Sequence, residues 1–252
     1  MSDKAHEPLH GKTVLITGAA RRIGAVLARE LHAAGASVLL HFHSSADAAD
    51  ELVRELNHAR SESALAAQAD LLDAAQLHAL PGLATRTFGS LDVLINNAST
   101  FYPTPVGEIT AQQWDDLMGT NLRAPLFLAQ AAASALRLSE GLILNIADIH
   151  GMRPLSRHTV YSVAKAGLIM LTKSLARELG PQIRVNGIAP GPVLWPDGGI
   201  DHELQRKIVA DTLLKRTGSP QDIARAALFF ATQAPFVTGQ ILAVDGGRSV
   251  CW

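Results

Sequence analysis

Short apolar runs alternate with longer helical patterns along the chain. Seven runs have the length of strands and are nearly all apolar: residues 14–16, 37–40, 64–69, 91–95, 142–146, 183–188 and 241–244. Continuous apolar runs are typical of strands in a parallel sheet that is covered on both faces, because neither face of such a strand meets water. The pattern therefore predicts buried parallel strands rather than half-exposed ones.

The intervening segments are rich in alanine and leucine and are long enough for helices. They span residues 23–34, 46–58, 74–87, 111–138, 160–179 and 221–232. Alternation of strands and helices along a whole chain is typical of the α/β class, and right-handed crossovers then place helices on both faces of a doubly wound sheet. Since no linker or repeat divides the sequence, we expect one domain over residues 1–252.

One stretch fits neither pattern. Residues 190–201 contain three prolines, three glycines and Trp195, and they follow the sixth predicted strand. Ligands of doubly wound sheets bind at the carboxyl ends of the strands, and long loops there often carry function. We predict a substrate lid over about residues 190–212, with a surface loop that has no function as the alternative.

Composition narrows the function classes. Hydrophobic residues make up 48% of the chain and charged residues 18%, enough for a large core. The 22 basic and 23 acidic side chains give a net charge of −1, without the basic excess of a nucleic-acid binder. No apolar run has the length of a membrane span or a signal core. The single cysteine, Cys251, fits a reducing compartment, so we expect a cytoplasmic protein that acts without nucleic acid, membrane or metal.

A glycine-containing turn joins the first strand to the first helix. It reads Thr17-Gly18-Ala19-Ala20-Arg21-Arg22-Ile23-Gly24. Glycines let backbone amides approach a pyrophosphate at a helix N-terminus, where the helix dipole favours negative charge. The position of the turn in the first strand–turn–helix unit indicates a dinucleotide site. The alternative is a tight turn that binds no ligand.

The end of the second strand bears on which dinucleotide binds. An NAD site usually has an acidic residue there for the ribose hydroxyls, whereas this chain has His41-Phe42-His43-Ser44-Ser45 and no acid before Asp47. Imidazoles, hydroxyls and the Arg22 guanidinium suit a 2′-phosphate instead, so we predict NADPH. A solvated helix start is the alternative for Arg21 and Arg22, but cations at a helix N-terminus oppose its dipole.

Asp70 ends the third predicted strand, and two interpretations of it stay open. Its carboxylate could accept a hydrogen bond from the adenine of the cofactor. It could equally cap the N-terminus of the next helix, just before Asp73, since aspartate is a common N-cap.

Tyr161 and Lys165 stand four residues apart in a predicted helix. Side chains at this spacing share one face, so the phenol and the ammonium are neighbours. A nearby positive charge favours phenolate and lowers the tyrosine pKa from its usual value of about 10. We therefore expect Tyr161 to transfer a proton near neutral pH. The alternative is a packed tyrosine beside a surface lysine.

Several motifs occur together over residues 11–247. They are the turn at residues 17–24, Asn96-Asn97-Ala98, Asn121, Tyr161-x-x-x-Lys165, Pro190-Gly191 and Asp245-Gly246-Gly247. In this combination the chain resembles the short-chain dehydrogenase/reductase superfamily. The resemblance implies a seven-stranded Rossmann-type sheet, with Lys165 on the nicotinamide ribose, Tyr161 as proton donor and Asn121 holding a relay water. It also implies a four-helix interface, so we expect a homotetramer or a dimer.

The sequence departs from the superfamily pattern at two positions. Arg22 stands where the middle glycine of the turn is usual, and Asp148 stands where a catalytic serine is usual, thirteen residues before Tyr161. A serine hydroxyl can donate to a substrate carbonyl, whereas an ionised carboxylate only accepts. An ordinary ketone or alcohol therefore fits Asp148 poorly. A ring that bears N–H donors fits it better, and the aspartate could also deliver a proton itself.

A narrower resemblance accounts for both departures. The turn at residues 17–24, residues 41–46, residues 97–105 and the set Asp148, Tyr161 and Lys165 are similar to the pteridine reductases, in which Asp replaces the serine and Arg the glycine. By that resemblance Phe101 stacks on the pterin and holds it against the nicotinamide. A flat heteroaromatic ring does stack well on a phenyl face. The alternative for Phe101 is a core aromatic.

The resemblance implies that hydride passes from NADPH to a C=N carbon of a pterin or dihydropterin, or of dihydrofolate. It assigns four catalytic residues, Asp148, Tyr161, Lys165 and Asn121. It assigns the cofactor to Gly18, Arg22, Ile23, Gly24, His41, Phe42, His43, Ser44, Ser45, Asp70, Leu71, Asn97, Ala98, Ser99, Lys165, Pro190 and Gly191. It assigns the substrate to Ser99, Phe101, Asp148 and Tyr161, and we add Trp195 from its place in the predicted lid. The rival hypotheses are a reductase of ketones or 3-oxoacyl thioesters and an NADPH sensor without catalysis.

Overall fold

The computed structural model describes residues 7–195, 199 and 201–251. Seven strands form one sheet in the order β3-β2-β1-β4-β5-β6-β7, and every neighbouring pair is parallel. The strands are β1 (Thr13–Ile16), β2 (Ser37–Phe42), β3 (Ala64–Gln68), β4 (Val93–Asn96), β5 (Leu142–Ile146), β6 (Arg184–Pro190) and β7 (Ile241–Val244). The predicted seven-stranded, doubly wound α/β fold is confirmed.

Helices cover both faces of the sheet. They are α1 (Arg22–Ala33), α2 (Ala46–Ala59), α3 (Ala74–Phe88), α4 (Ala111–Met118), α5 (Ala124–Leu138), α6 (Thr159–Leu179), α7 (His202–Ala210) and α8 (Pro220–Thr232). The predicted helix over residues 111–138 is helical throughout, and a π-helical turn at Gly119–Arg123 joins α4 to α5. Helix α7 lies in the predicted lid and was not foreseen from the sequence.

Successive strand residues face opposite layers of the core. Val14 and Ile16 pack with α1, α2 and α8, while Leu15 packs with α3 and α5 on the other face. Side chains alternate across a strand with a period of two, so both sets must be apolar when both faces are covered. This double burial is the physical reason for the continuous apolar runs in the sequence.

The order of the strands reverses between β1 and β4. The two strands are hydrogen-bonded neighbours, with Ile16 opposite Ile95, yet their connections leave in opposite directions. A crevice opens at such a point, outside the carboxyl ends of the strands. The segments that follow Ile16 and Ile95 meet there, and they begin with the glycine turn and with Asn97.

The described part of the chain contains neither a helix that could span a membrane nor a cluster of metal-binding side chains. No helix among those residues is both long and apolar enough to cross a membrane. The same residues contain no group of three or more His, Cys, Asp or Glu side chains that could hold a metal ion.

The sheet core should be the main source of stability. Leu94 in β4 is 0% exposed, so Leu94→Ala should lower the free energy of unfolding by about 2–5 kcal/mol. Leu138 at the end of α5 is 90% exposed, and Leu138→Ala should change it by no more than about 0.5 kcal/mol. Chemical denaturation of both variants and the parent measures the difference, and equal effects would contradict this account of the core.

Candidate active site

A cleft of about 470 Å³ opens at the carboxyl edge of β1, β2, β3 and β4. Eleven of the predicted cofactor residues line it: Gly18, Arg22, Ile23, Gly24, His41, His43, Asp70, Leu71, Asn97, Ala98 and Ser99. Arg21, Leu72, Thr100, Asp116 and Thr120 complete the lining. The fold thus gathers residues from four strand ends at the switch point of the sheet.

Close packing forms the floor of this cleft. A Cβ atom on Gly24 would stand 2.1 Å from the carbonyl oxygen of Gly18 and 2.8 Å from Nδ2 of Asn97. Asn97 Nδ2 also donates to the carbonyl oxygens of Thr17 at 2.8 Å and Gly18 at 3.0 Å. Only glycine therefore fits at position 24, and the N-terminus of α1 comes close enough to present its amides to a pyrophosphate.

Arg22 opens α1 in an unusual backbone conformation. Its φ is +54°, in the left-handed region that favours glycine. The chain therefore keeps the glycine conformation that the family pattern requires while adding a guanidinium to the cleft. Arg22 Nη2 donates to the carbonyl oxygen of Trp195 at 2.9 Å. Trp195 thus reaches the cofactor turn through its backbone, whereas residues 196–198 and 200 of the predicted lid lie outside the described residues.

The His41 ring does not have the position that we predicted for it. The side chain is 1% exposed, and its Nδ1 lies 3.2 Å from the Gly18 amide nitrogen. Its Nε2 lies 3.0 Å from the carbonyl oxygen of Ala69. Both ring nitrogens bind protein, so the ring supports the turn instead of meeting a phosphate.

The neighbours of His41 divide between the core and the surface. Phe42 is buried and does not line the cleft, so its predicted contact with the cofactor finds no support in the side-chain position. His43 is exposed and lines the cleft. Ser44 and Ser45 follow just before α2, outside the lining. Of the residues that we predicted to bind the 2′-phosphate, His43 and Arg22 are therefore the ones that line the cleft.

The two interpretations of Asp70 can now be separated. The N-cap of α3 is Asp73, whose carboxylate accepts from the amides of Ala75 at 2.8 Å and Gln76 at 3.0 Å. Asp70 accepts instead from the amide of Leu72 at 2.8 Å and lines the cleft. The capping interpretation of Asp70 is therefore wrong, and the adenine contact stays a prediction.

Asp148, Tyr161 and Lys165 lie together beyond the end of β5. Tyr161 Oη donates to Asp148 Oδ2 at 2.8 Å. Lys165 Nζ donates to the carbonyl oxygen of Ile146 at 3.0 Å and stands 5.6 Å from the centre of the Tyr161 ring. Gly151 allows this arrangement, because a Cβ there would stand 2.7 Å from the Lys165 backbone. The segment after β5 therefore packs directly on α6.

The charges at this site differ from the sequence prediction. We expected Lys165 to lower the pKa of Tyr161, and that expectation is wrong. Burial raises the pKa of Tyr161 well above 10, and the carboxylate of Asp148 raises it further by charge and hydrogen bond. Burial lowers the pKa of Lys165 to about 8, although Asp148 opposes that shift. Tyr161 is therefore held as a phenol that has a proton to donate.

Ser99 and Asn121 border the phenol. The Ser99 hydroxyl donates to Oδ1 of Asn121 at 2.6 Å. Asn121 Nδ2 donates to the carbonyl oxygens of Thr100 at 3.0 Å and Leu117 at 2.9 Å. The side-chain amide of Asn121 thus fixes the position of Ser99. Asn121 itself lies within the π-helical turn. The relay water that the resemblance assigns to Asn121 stays a prediction.

Phe101 lies at the mouth of the site. Its side chain is 43% exposed, so the core-aromatic alternative is excluded. Its ring stacks on His158 at 4.7 Å between ring centres with 13° between the planes, and it meets Tyr161 edge-on at 4.8 Å. From the sequence we expected His158 to be a surface or loop residue without a role; it is the N-cap of α6, and its ring lies against Phe101.

The remaining predicted residues flank the cleft. Lys165, Pro190 and Gly191 are outside its lining. Gly191 packs so tightly on Asp245 that a Cβ would stand 2.6 Å from the Asp245 Cβ, and its amide donates to the carbonyl of Val244. This contact fixes the start of the segment that leads to Trp195.

Comparisons with known proteins agree with this geometry. A family described as enoyl-(acyl carrier protein) reductase matches residues 18–249. Pteridine reductase 1 of Leishmania tarentolae is 36% identical, over 94% of this chain and 96% of its own length. A 3-oxoacyl-[acyl-carrier-protein] reductase of Staphylococcus aureus is 35% identical, over 94% and 97%. The chain belongs to the short-chain dehydrogenase/reductase superfamily.

A solved structure supports the cofactor. A blue fluorescent protein from a metagenomic library, determined in complex with NADPH, superposes with a TM-score of 0.90 at 37% identity, covering 96% of this chain and 99% of that one. The predicted cofactor, NADPH, is confirmed, and the protein is an NADPH-dependent oxidoreductase. The two curated relatives act on different substrates at nearly equal identity, so the substrate must be argued from the site.

Replacing Arg22 should separate backbone strain from charge. Arg22→Ala and Arg22→Gly both remove the guanidinium, so both should weaken NADPH binding about tenfold. Only glycine relieves the left-handed backbone, so Arg22→Gly should be more stable than Arg22→Ala by about 1 kcal/mol. Titration with NADPH and chemical denaturation measure the two effects. Equal stability of the two variants would contradict the strain, and unchanged binding would contradict the role of the charge.

The alkaline limit of activity should follow Lys165 rather than Tyr161. Lysine acts as a cation below its pKa, so kcat/KM for NADPH should fall as the pH rises through about 8. Because the charge of Asp148 raises the pKa of Lys165, Asp148→Asn should move the fall to lower pH. Asp50→Asn is the control, since it removes an exposed carboxylate on α2, outside the cleft. A pH profile that Asp148→Asn leaves unmoved would contradict the assignment.

Proposed function

We propose that this protein is a pteridine reductase, which reduces a pterin or dihydropterin, or dihydrofolate, at a C=N bond. One observation carries the proposal: the carboxylate of Asp148 holds the Tyr161 phenol, and the exposed ring of Phe101 lies directly beside that pair. A carboxylate acceptor and a partly exposed aromatic ring together suit a flat heterocycle that bears N–H donors.

Proton delivery is the part of the reaction that these side chains perform. Bound NADPH supplies the hydride, which adds to the carbon of the C=N bond. Tyr161 donates its proton to the ring nitrogen, and its raised pKa keeps that proton in place until the substrate arrives. The C=N double bond becomes a C–N single bond with one new C–H and one new N–H bond. The phenolate of Tyr161 then takes a proton from solvent.

Asp148 has two tasks in this proposal. Its Oδ2 accepts from Tyr161 and its Oδ1 accepts from the amide of His150 at 2.8 Å, so the carboxylate is fixed in orientation. It accepts N–H groups of the heterocycle beside the reacting nitrogen. It also stabilises the protonated form of Tyr161, which is the form that reduction consumes.

Phe101 orients the ring of the substrate. Tyr161 meets the phenyl ring edge-on and His158 stacks on it, and these two contacts fix the phenyl plane beside the proton donor. The exposed part of Phe101 can then stack on a pterin and hold its C=N bond next to Tyr161.

Reduction of 3-oxoacyl thioesters is the second candidate function. The relative from Staphylococcus aureus favours it, as does the description of the matching family. The position of Asp148 argues against it, because a thioester ketone needs a hydrogen-bond donor where this chain has an acceptor. A sensor that binds NADPH without turnover would have no use for the buried contact between Tyr161 and Asp148.

We also propose that the protein is a cytoplasmic homotetramer. Large apolar side chains remain exposed on the outer faces of neighbouring helices: Trp114 on α4, Phe127 on α5, and Val163 and Met170 on α6. Exposed apolar patches of this kind mark association surfaces. Sedimentation of the purified protein tests the assembly.

The substrate test measures the initial rate of NADPH oxidation by the purified protein. The acceptors are dihydrobiopterin, dihydrofolate, simple ketones and a 3-oxoacyl thioester, each repeated with Tyr161→Phe. We expect turnover with the pterins only, and a loss of at least about a hundredfold in the variant because the proton donor is gone. Turnover of the thioester but not of the pterins would replace the proposal by the second candidate.

A second pair of variants tests the stacking residue. Phe101→Leu keeps an apolar side chain but loses the flat face, so KM for the pterin should rise several-fold while KM for NADPH stays the same. Phe236→Leu is the matched control, because Phe236 is fully exposed and lies near the end of α8, outside the cleft. If Phe101→Leu behaves like Phe236→Leu, Phe101 does not bind the substrate.

A further inference from the structure

The buried ring of His41 joins three segments of the cofactor cleft. His41 belongs to β2, and its Nδ1 lies 3.2 Å from the Gly18 amide in the turn after β1. Its Nε2 lies 3.0 Å from the carbonyl oxygen of Ala69, just after β3. The carbonyl oxygen of His41 also accepts the amide of Ala19 at 2.9 Å. One residue thus binds two successive amides of the glycine turn.

The partners of the ring fix its protonation state. The Gly18 amide can only donate, so Nδ1 must carry no proton. The Ala69 carbonyl can only accept, so Nε2 must carry one. The ring is therefore the neutral tautomer with its proton on Nε2, and its two bonds are used entirely within the protein.

We propose that neutral His41 is a positioning residue for NADPH, which holds the Gly18 amide and the end of β3 in the geometry that binds the cofactor. Gly18 in this turn lines the cleft, and the His41 ring that bonds its amide is only 1% exposed. Without the ring, the partly buried amide of Gly18 loses its acceptor, and the unpaired amide favours a rearranged turn.

The proposal makes cofactor binding sensitive to acid. A second proton would place an N–H group on Nδ1 opposite the Gly18 amide, and two donors cannot bond. The ionisable groups around the ring are His43 at the end of β2 and Asp70 after β3, while Arg21 and Arg22 in the turn line the same cleft. Burial is the largest effect on the pKa of His41 and lowers it, His43 lowers it further, and the bond to Ala69 and the charge of Asp70 oppose them.

The sign of the pH effect follows from these groups. Because the pKa of His41 lies below the ordinary histidine value of about 6.5, the ring is neutral at neutral pH and the turn keeps its bond. Affinity for NADPH is then complete above that ordinary value. It is lost as the pH falls through the lowered pKa of His41.

Two substitutions separate the two bonds. In His41→Asn the amide oxygen replaces Nδ1 as acceptor for Gly18, whereas in His41→Gln the amide reaches the position of Nε2 and the Gly18 amide is left unpaired. We expect His41→Asn to bind NADPH within about threefold of the parent and His41→Gln about tenfold more weakly. His32→Asn and His32→Gln are the controls, since His32 is also buried but bonds Ser63, outside the cleft.

Direct titration with NADPH, without any second substrate, gives the dissociation constants, so the result does not depend on the pterin proposal. The acid loss of affinity should be steeper in the parent than in His41→Asn, which has no ring to protonate. Equal losses in the Asn and Gln variants, or the same loss in the His32 controls, would overturn the proposal.

The ring can also be observed in the unsubstituted protein. Nitrogen-15 spectra of the histidine side chains at neutral pH should show His41 as the neutral tautomer with its proton on Nε2. An imidazolium, or a ring with its proton on Nδ1, would overturn the proposal whatever the variants do.

Discussion

The hydrogen bond between the Tyr161 phenol and the Asp148 carboxylate governs the chemistry of this site. It joins a side chain of α6 to the segment after β5, and that segment packs tightly on α6 at Gly151. Burial already disfavours phenolate, and a carboxylate at 2.8 Å disfavours it further. Burial and the carboxylate therefore both favour the protonated form of Tyr161.

The sheet supplies the geometry in which this bond can act. Strand order reverses between β1 and β4, so the glycine turn and the Asn97 segment meet and form the cofactor cleft. Strand β5 is the next neighbour of β4, and the segment after it carries Asp148. Strand order alone therefore places the cofactor cleft beside the segment that carries Asp148.

Local sequence patterns predicted most of the fold, and tertiary contacts explain where they failed. Apolar runs located all seven strands. The central strands are covered on both faces of the sheet, whereas β7 at its edge is only partly buried. The apolar pattern of residues 111–138 gives no sign of the π-helical turn. That turn contains Asn121, whose side chain bonds Ser99 and Thr100 in another segment. The spacing of apolar residues along a helix does not predict a hydrogen bond to a distant segment.

At the candidate active site, too, the predictions failed where a group from another segment contacts the residue. The spacing of Tyr161 and Lys165 correctly placed the two side chains on one helix, but it gave the wrong sign for the tyrosine pKa. Spacing within a helix shows the lysine and not the carboxylate that arrives from another segment. His41 was misjudged for a similar reason. Its sequence neighbours suggest a surface cluster, whereas its place in β2, between β1 and β3, buries the ring among backbone groups.

These particulars explain why overall similarity does not decide the substrate. Two relatives that are named for different substrates are 36% and 35% identical to this chain, so overall identity does not separate them. Substrate choice rests on few atoms. A carboxylate at position 148 turns a hydrogen-bond donor into an acceptor, and a buried polar group that meets the wrong partner costs about 1–3 kcal/mol. That cost corresponds to a factor of about five to 150 in affinity for the substrate. One residue can therefore change the preferred substrate while overall identity stays the same.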